Sequence, residues 1–284
     1  MSLPVSPPFF GYLQPWSLHR SPFLDCADFF FAGQAQRETI AGLTYFASSD
    51  WKLAFLVAPR RSGVSRLVDH VVSMNGLGTC PVDVILSRSE CKSPESFVRQ
   101  LRSLLGHSPA SQTSSQATSQ DIERAIQQSD RQGIRTLWFL EDCPAAAIGM
   151  ATDLAQRHRN FSVVATTVPD QRERLHLNAG ACGMRIDLDS LTLEDTASYV
   201  HSALRHAGAS EAIFSETAIT YLHKATSGLI GEIAVIAESA LAAAACRGLT
   251  RITPNLIEMV VETHGMSPSE ESAPWKPRAV LRAA

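Results

Sequence analysis

The chain has 284 residues, 45% of them hydrophobic, enough for a substantial core in one large or two modest domains. With 25 Lys and Arg against 28 Asp and Glu the net charge is −3, so no global positive field draws it to nucleic acid or to an anionic membrane. Six dispersed cysteines without a C-x-x-C pair argue against a disulfide framework or a zinc site and for a reducing, cytoplasmic setting.

In chain order, residues 1–33 form an N-terminal arm. Its first 22 residues are rich in proline and aromatics (Phe9, Phe10, Tyr12, Trp16) and read as an extended segment that must dock on something. No basic stretch followed by an apolar run opens the chain, so no signal peptide is expected. Residues 34–47 carry Ile40, Leu43 and Phe46 at helical spacing. Strand-like apolar runs follow at 53–58, 82–86, 136–140, 161–166 and 185–188. Helical stretches at 65–75, 94–105, 121–132 and 144–157 fall between most of them. This alternation predicts an α/β domain over 34–190, a parallel sheet flanked by helices.

The polar, Ser- and Thr-rich stretch at 106–120 reads as a flexible loop. Beyond Asp189 the strand pattern stops. Residues 192–207, 215–226, 230–247 and 253–264 read as four consecutive helices, giving a small all-helical lid over 191–264. Thr192-Leu-Glu-Asp195 has the form of a helix cap, and Gly208, Gly228 and Gly248 punctuate helix ends. The alanine-rich run at 233–246 is broken by Glu238 and is too short to span a bilayer, so no membrane insertion is expected. The Pro- and Ser-rich tail at 265–284 is expected to be disordered.

The segment most pregnant with chemistry is Ala58-Pro59-Arg60-Arg61-Ser62-Gly63-Val64-Ser65, between a buried strand and a helix, the setting of a phosphate-binding loop. Against G-x-x-x-x-G-K-[ST], Gly63 and Ser65 are in place, Ala58 replaces the first glycine and Val64 replaces the lysine. The lysine supplies a positive charge at the β/γ-phosphates, and its attraction to one phosphate charge is about 4 kcal/mol at ~4 Å and an effective dielectric near 20. Val64 supplies none of it. Ser65 keeps the hydroxyl that would touch magnesium, though serine is equally a helix cap.

The order of these parts resembles the ExeA-like AAA+ ATPases, known from type II secretion and related to ATPases of transposition modules. The resemblance covers about residues 16–262. It is carried by the entry segment Pro22-Phe23, Asp28-Phe-Phe-Phe31 and 34–43, and by the lid stretch Leu191-Thr-Leu-Glu-Asp-Thr-Ala-Ser-Tyr-Val200 with Ala207-Gly208, Phe214 and Ser227-Gly228. It implies an AAA+ P-loop NTPase fold, with Arg60, Arg61, Ser62, Gly63, Val64, Ser65 and Arg66 at the nucleotide and Ser65 and Glu141 at magnesium. Where such proteins carry Asp for magnesium and then Glu for water, this chain has Glu141 and then Asp142. The inversion leaves Asp142 about one methylene short of an attacking water, and misplacements near ~1 Å cost about 100-fold. An equally plain reading makes the acidic pair a cap for the following helix. Thr166 or Thr167 stands where a sensor hydroxyl is implied. Gly231 replaces the arginine of the lid's G-x-P-R motif, and Arg61 stands where glycine would let the loop curl.

Lysine, carboxylate order and lid arginine therefore depart together. The expectation is a degenerate ATPase, with weak or absent hydrolysis, acting as a regulatory or scaffolding subunit through protein contacts or self-assembly. The alternative is a working ATPase in which Arg60, Arg61 or Arg66 takes the lysine's place, with ATP and Mg bound. The same arginines read equally well as solvated charges. Arg185, and Arg172 or Arg174, occupy the region where the resemblance places an arginine finger. DNA association, as in the transposition relatives, is the least favoured reading for a chain without a basic stripe. His201 and His206 share no helix face, and Cys143 reads as a small buried hydrophobe. The membrane anchor and cell-wall-binding module of the secretion members are not expected here.

Overall fold

The computed structural model describes residues 8–24, 28–74, 77, 82–88, 126–127, 131–169 and 183–265. The helix expected at 94–105, the loop at 106–120, most of the helix at 121–132, Arg172, Arg174 and the tail lie outside them. The described chain divides into two compact units. One comprises residues 36–60 and 64–188; the other comprises 1–35, 61–63 and 189–284.

The first unit is built on a five-stranded parallel sheet. Its strands are β1 (Leu53–Val57), β2 (Val82–Arg88), β3 (Arg135–Glu141), β4 (Phe161–Thr167) and β5 (Met184–Asp187), in the spatial order β2-β3-β4-β1-β5. All residues of β1 are buried, and β3 and β4 are buried along almost their whole length, as expected for strands covered on both faces. Helices α1 (Gln34–Ser48), α2 (Val64–Ser73) and α3 (Ala145–Arg157) join them. One core gathers Leu53, Phe55 and Val57 with Trp138, Leu140, Phe161 and Val163 and with Ala147, Ile148 and Ala151 of α3. β2 runs two residues past the expected end, to Arg88, and in register with β3 it sets Arg88 beside Glu141.

Among the described residues the second unit has the α-helices α4 (Leu193–His206), α5 (Glu216–Thr226), α6 (Ile230–Cys246) and α7 (Pro254–Thr263). The expected cap at α4 is present, with Thr192 Oγ1 accepting from the Asp195 N–H at 3.0 Å. Ser215 does the same for Ala218 at α5, at 3.1 Å. Helix α5 ends at Ser227 and Gly228, both with positive φ. A Cβ on Gly228 would lie 2.2 Å from the Leu191 carbonyl oxygen, so no side chain fits there.

The N-terminal arm does dock, but residues 8–16 are not extended. They form a 3₁₀-helix, Pro8–Trp16. Three residues per turn eclipse Leu13 and Trp16, and both are buried in the helical core with Leu18 and Phe23. Each such side chain contributes about 1.5–3 kcal/mol on burial. The arm is also tied to Glu238, which is 5% exposed on α6. Its carboxylate accepts from the Tyr12 hydroxyl and, at 3.2 Å, from the Phe23 N–H.

Candidate functional site

In the sheet-bearing unit, β1 leads towards α2, and the first turn of α2 carries Ser65. Asp69 follows four residues later, on the same helix face. From the end of β3, Glu141 reaches the Ser65 hydroxyl, which donates to its Oε1. On the adjacent strand Arg88 Nε donates to Glu141 Oε2 at 2.8 Å, and Arg88 also pairs with Asp69. Ser65, Glu141, Arg88 and Asp69 thus form one continuous polar chain. Glu141 is only 7% exposed, whereas Arg88 is about half exposed. Hydrogen bonds to Glu141 and then to Asp69 raise the Arg88 pKa above its ordinary value, so the guanidinium is a fixed charge.

Magnesium fits this arrangement poorly. Both Glu141 oxygens already have partners, and one of these is a cation. A divalent ion on the same carboxylate, ~4 Å from the guanidinium, would meet repulsion of about 8 kcal/mol, twice the unit-charge value at an effective dielectric near 20. Magnesium also requires near-octahedral oxygen ligands, which an arginine cannot provide. Among the described residues no cluster of three or more His, Cys, Asp or Glu is placed to hold a metal.

Asp142 is exposed, with φ 54°, and its backbone N–H donates to Thr166 Oγ1 at 3.1 Å. Thr166 is therefore engaged at the end of β3, while Thr167 is buried and its hydroxyl donates to the Val168 carbonyl at 3.3 Å. Arg185 is held by Asp187 of its own strand through Nε at 2.7 and 2.8 Å. Cys143 is partly buried, its Sγ near the carbonyls of Ser87 and Glu141.

The loop tip, Arg61–Gly63, groups with the helical unit. Arg61 takes up the left-handed conformation although it is not glycine: it adopts φ 62°, and Gly63 adopts φ 84°. The left-handed conformation costs a non-glycine residue about 1–2 kcal/mol. Two contacts offset this. The Arg61 carbonyl accepts from the Gly231 N–H at 2.8 Å, satisfying a donor in the first turn of α6 that the helix leaves unpaired. The guanidinium meets Glu232 at 3.0 Å. A Cβ at residue 231 would lie 2.9 Å from the Arg61 carbonyl oxygen, so the loop itself closes the position to which the resemblance assigns a lid arginine. Ser62 is 2% exposed and its Oγ has no hydrogen-bond partner. Arg60 is exposed, Arg66 partly buried, and Val64 opens α2.

Arg88 was not among the expected site residues. A cation closing one strand level with a carboxylate closing its neighbour was the available signal, and it depended on strand register.

No protein-family model and no curated protein matches the chain. Solved structures do. It is similar to Cdc6p from Pyrobaculum aerophilum, with a TM-score of 0.59 and 11% identity over 88% of this chain and 70% of that one. A Drosophila ORC structure bound to DNA gives a TM-score of 0.63 and 11% identity over 94% and 70%. The RuvB Holliday junction branch migration motor of Thermotoga maritima gives 0.51 and 12% over 86% and 73%. The architecture is that of the AAA+ P-loop ATPases. No helix among the described residues is long and apolar enough to cross a membrane.

Proposed function

We propose that this chain is a degenerate AAA+ protein of the ExeA-like type, which does not turn over ATP and acts in the cytoplasm as a regulatory or scaffolding subunit through protein contacts or self-assembly. The observation that carries the reading is the Arg61–Gly231 contact. The carbonyl of the loop tip caps α6, and the position that the resemblance assigns to a phosphate-sensing arginine has no room for a side chain. Val64 in place of the lysine points the same way, as does Glu141 held by Arg88. The groups that would neutralise a developing phosphate charge, which dominate phosphoryl-transfer catalysis, are missing together. Glu141, Asp142 and Thr167 keep positions at strand ends in this reading without a catalytic task.

Steady-state ATP hydrolysis by the purified chain tests the proposal. No turnover above background is expected; a rate near ~1 s⁻¹, in the ordinary enzyme range, abolished by Ser65→Ala or Glu141→Gln, would overturn it.

The buried, unpaired Ser62 hydroxyl beside exposed Arg60 favours one second reading, in which the loop still binds nucleotide through Arg60, Arg61 or Arg66. Calorimetric titration decides: micromolar ATP binding lost in Arg66→Ala supports it, and no heat at millimolar ATP supports the first. DNA is bound in the Drosophila ORC structure, and a gel shift surviving 200 mM salt would be needed to extend that to this chain of net charge −3.

A further inference from the structure

The carboxylate that a magnesium ion would need already has a donor on each oxygen. Glu141 is nearly buried, and its two oxygens are divided between a hydroxyl donor, Ser65, and a guanidinium donor, Arg88. Arg88 Nη2 donates to Asp69 Oδ1, one helical turn beyond Ser65. This arrangement places a covalently attached cation of charge +1 between two carboxylates and a hydroxyl, where a divalent metal would bring +2. We infer that Arg88 is the resident cation of this site, that the site therefore operates without a divalent metal, and that removing the guanidinium converts Ser65, Asp69 and Glu141 into a divalent-cation site.

The chemistry supports the exchange in both directions. A guanidinium is permanently charged and offers donors in a rigid fork that matches carboxylates, so it holds two acids apart as a metal would. It cannot accept a lone pair from a ligand, so it polarises no bound water. An oxygen set of two carboxylates and a hydroxyl, once freed, is the hard donor set that magnesium and manganese prefer. Lysine would keep the charge but not the fork, so Arg88→Lys separates charge from geometry.

Manganese serves as the probe, because bound and free Mn²⁺ are distinguished directly by electron paramagnetic resonance of the full chain. The wild type is expected to show no saturable Mn²⁺ binding at millimolar metal, and no change in melting midpoint between EDTA and MgCl₂. Arg88→Gln is expected to melt lower in EDTA and to recover part of that loss with one bound equivalent of Mn²⁺. The double variant Arg88→Gln, Glu141→Gln should lose that equivalent, and Arg88→Lys should bind none. One saturable Mn²⁺ in the wild type, lost in Glu141→Gln, would overturn the inference even if Arg88→Gln failed to fold. So would a folded Arg88→Gln that binds no metal. The inference deepens the reading of a non-hydrolysing site, yet the two fail separately: turnover judges that reading, and metal occupancy judges this one.

Discussion

Replacing Gly231 with alanine sets two effects of opposite sign against each other, and the structure decides between them. Alanine is a better helix former than glycine by about 0.5–1 kcal/mol, less in a first turn such as this one. The new methyl, however, would stand 2.9 Å from the Arg61 carbonyl oxygen and 3.1 Å from the Arg61 Cβ. Neither neighbour is the far end of a flexible side chain, so the loop must move, and overpacking of this kind costs about 1–3 kcal/mol. Movement also lengthens the 2.8 Å hydrogen bond from the Gly231 N–H, worth about 1 kcal/mol. The net expectation is destabilisation by about 1–2 kcal/mol. Gly149 in α3 supplies the contrast, since a Cβ there meets nothing within 4 Å. Gly149→Ala should stabilise its unit by about 0.5–1 kcal/mol. Urea denaturation followed by circular dichroism, with the midpoints of both variants compared, reads the difference. Equal stabilisation by the two substitutions would refute the argument that the loop closes the lid position. Gly231→Arg, which restores the residue type of the resemblance, should destabilise more than alanine and restore no turnover.

Arg61→Gly removes left-handed strain worth about 1 kcal/mol but also an ion pair whose arginine is 57% exposed, worth below ~1 kcal/mol. Stability should therefore stay within about 1 kcal/mol of wild type; a loss above ~2 kcal/mol would assign the loop a stronger tether than the structure gives it. Burial, and then the Glu238 carboxylate, push the Tyr12 phenol well above its ordinary pKa. The unfolded chain therefore releases this proton first. The associated stability is complete below pH ~10 and is lost as pH rises beyond it. Denaturation series between pH 8 and 11 should show this alkaline loss in wild type and a shallower one in Tyr12→Phe. Glu238→Ala, which removes the carboxylate that the Tyr12 hydroxyl and the Phe23 N–H donate to, should destabilise the helical unit by about 2–4 kcal/mol and speed proteolysis of the arm.

The sheet was legible chiefly through β1, β3 and β4, which carry near-continuous apolar runs, a pattern that survives without knowledge of their order. Helices of the second unit were legible because Thr192 caps one and Gly228 terminates another, both local chemistry. What escaped was set by contacts remote in sequence. Arg88 lies two residues beyond where its strand seemed to end, and only pairing with β3 brings it to Glu141, 53 positions away. Arg61 was expected to resist a left-handed backbone, but the cost is of the same order as a single hydrogen bond and a partly buried ion pair, and α6 supplies both. Residues 8–16 looked extended because proline and aromatics dominate them. The selection of a 3₁₀-helix came from the helical core, which accepts Leu13 and Trp16 on one face.

The bonds that bind the arm to Glu238 join residues 215 and 226 positions apart, and residues 36–60 and 64–188 of the sheet-bearing unit are encoded between them. Contacts so distant in sequence require closure of a long loop, which slows their formation. During synthesis the arm emerges before the sheet, yet it has no acceptor until α6 has been made. The sheet can assemble in that interval, and compaction of the intervening chain shortens the loop that the arm must close. The helical unit is thus the last to become cooperative, and a pulse of hydrogen exchange during refolding should find β1, β3 and β4 protected before Trp16 and Phe23.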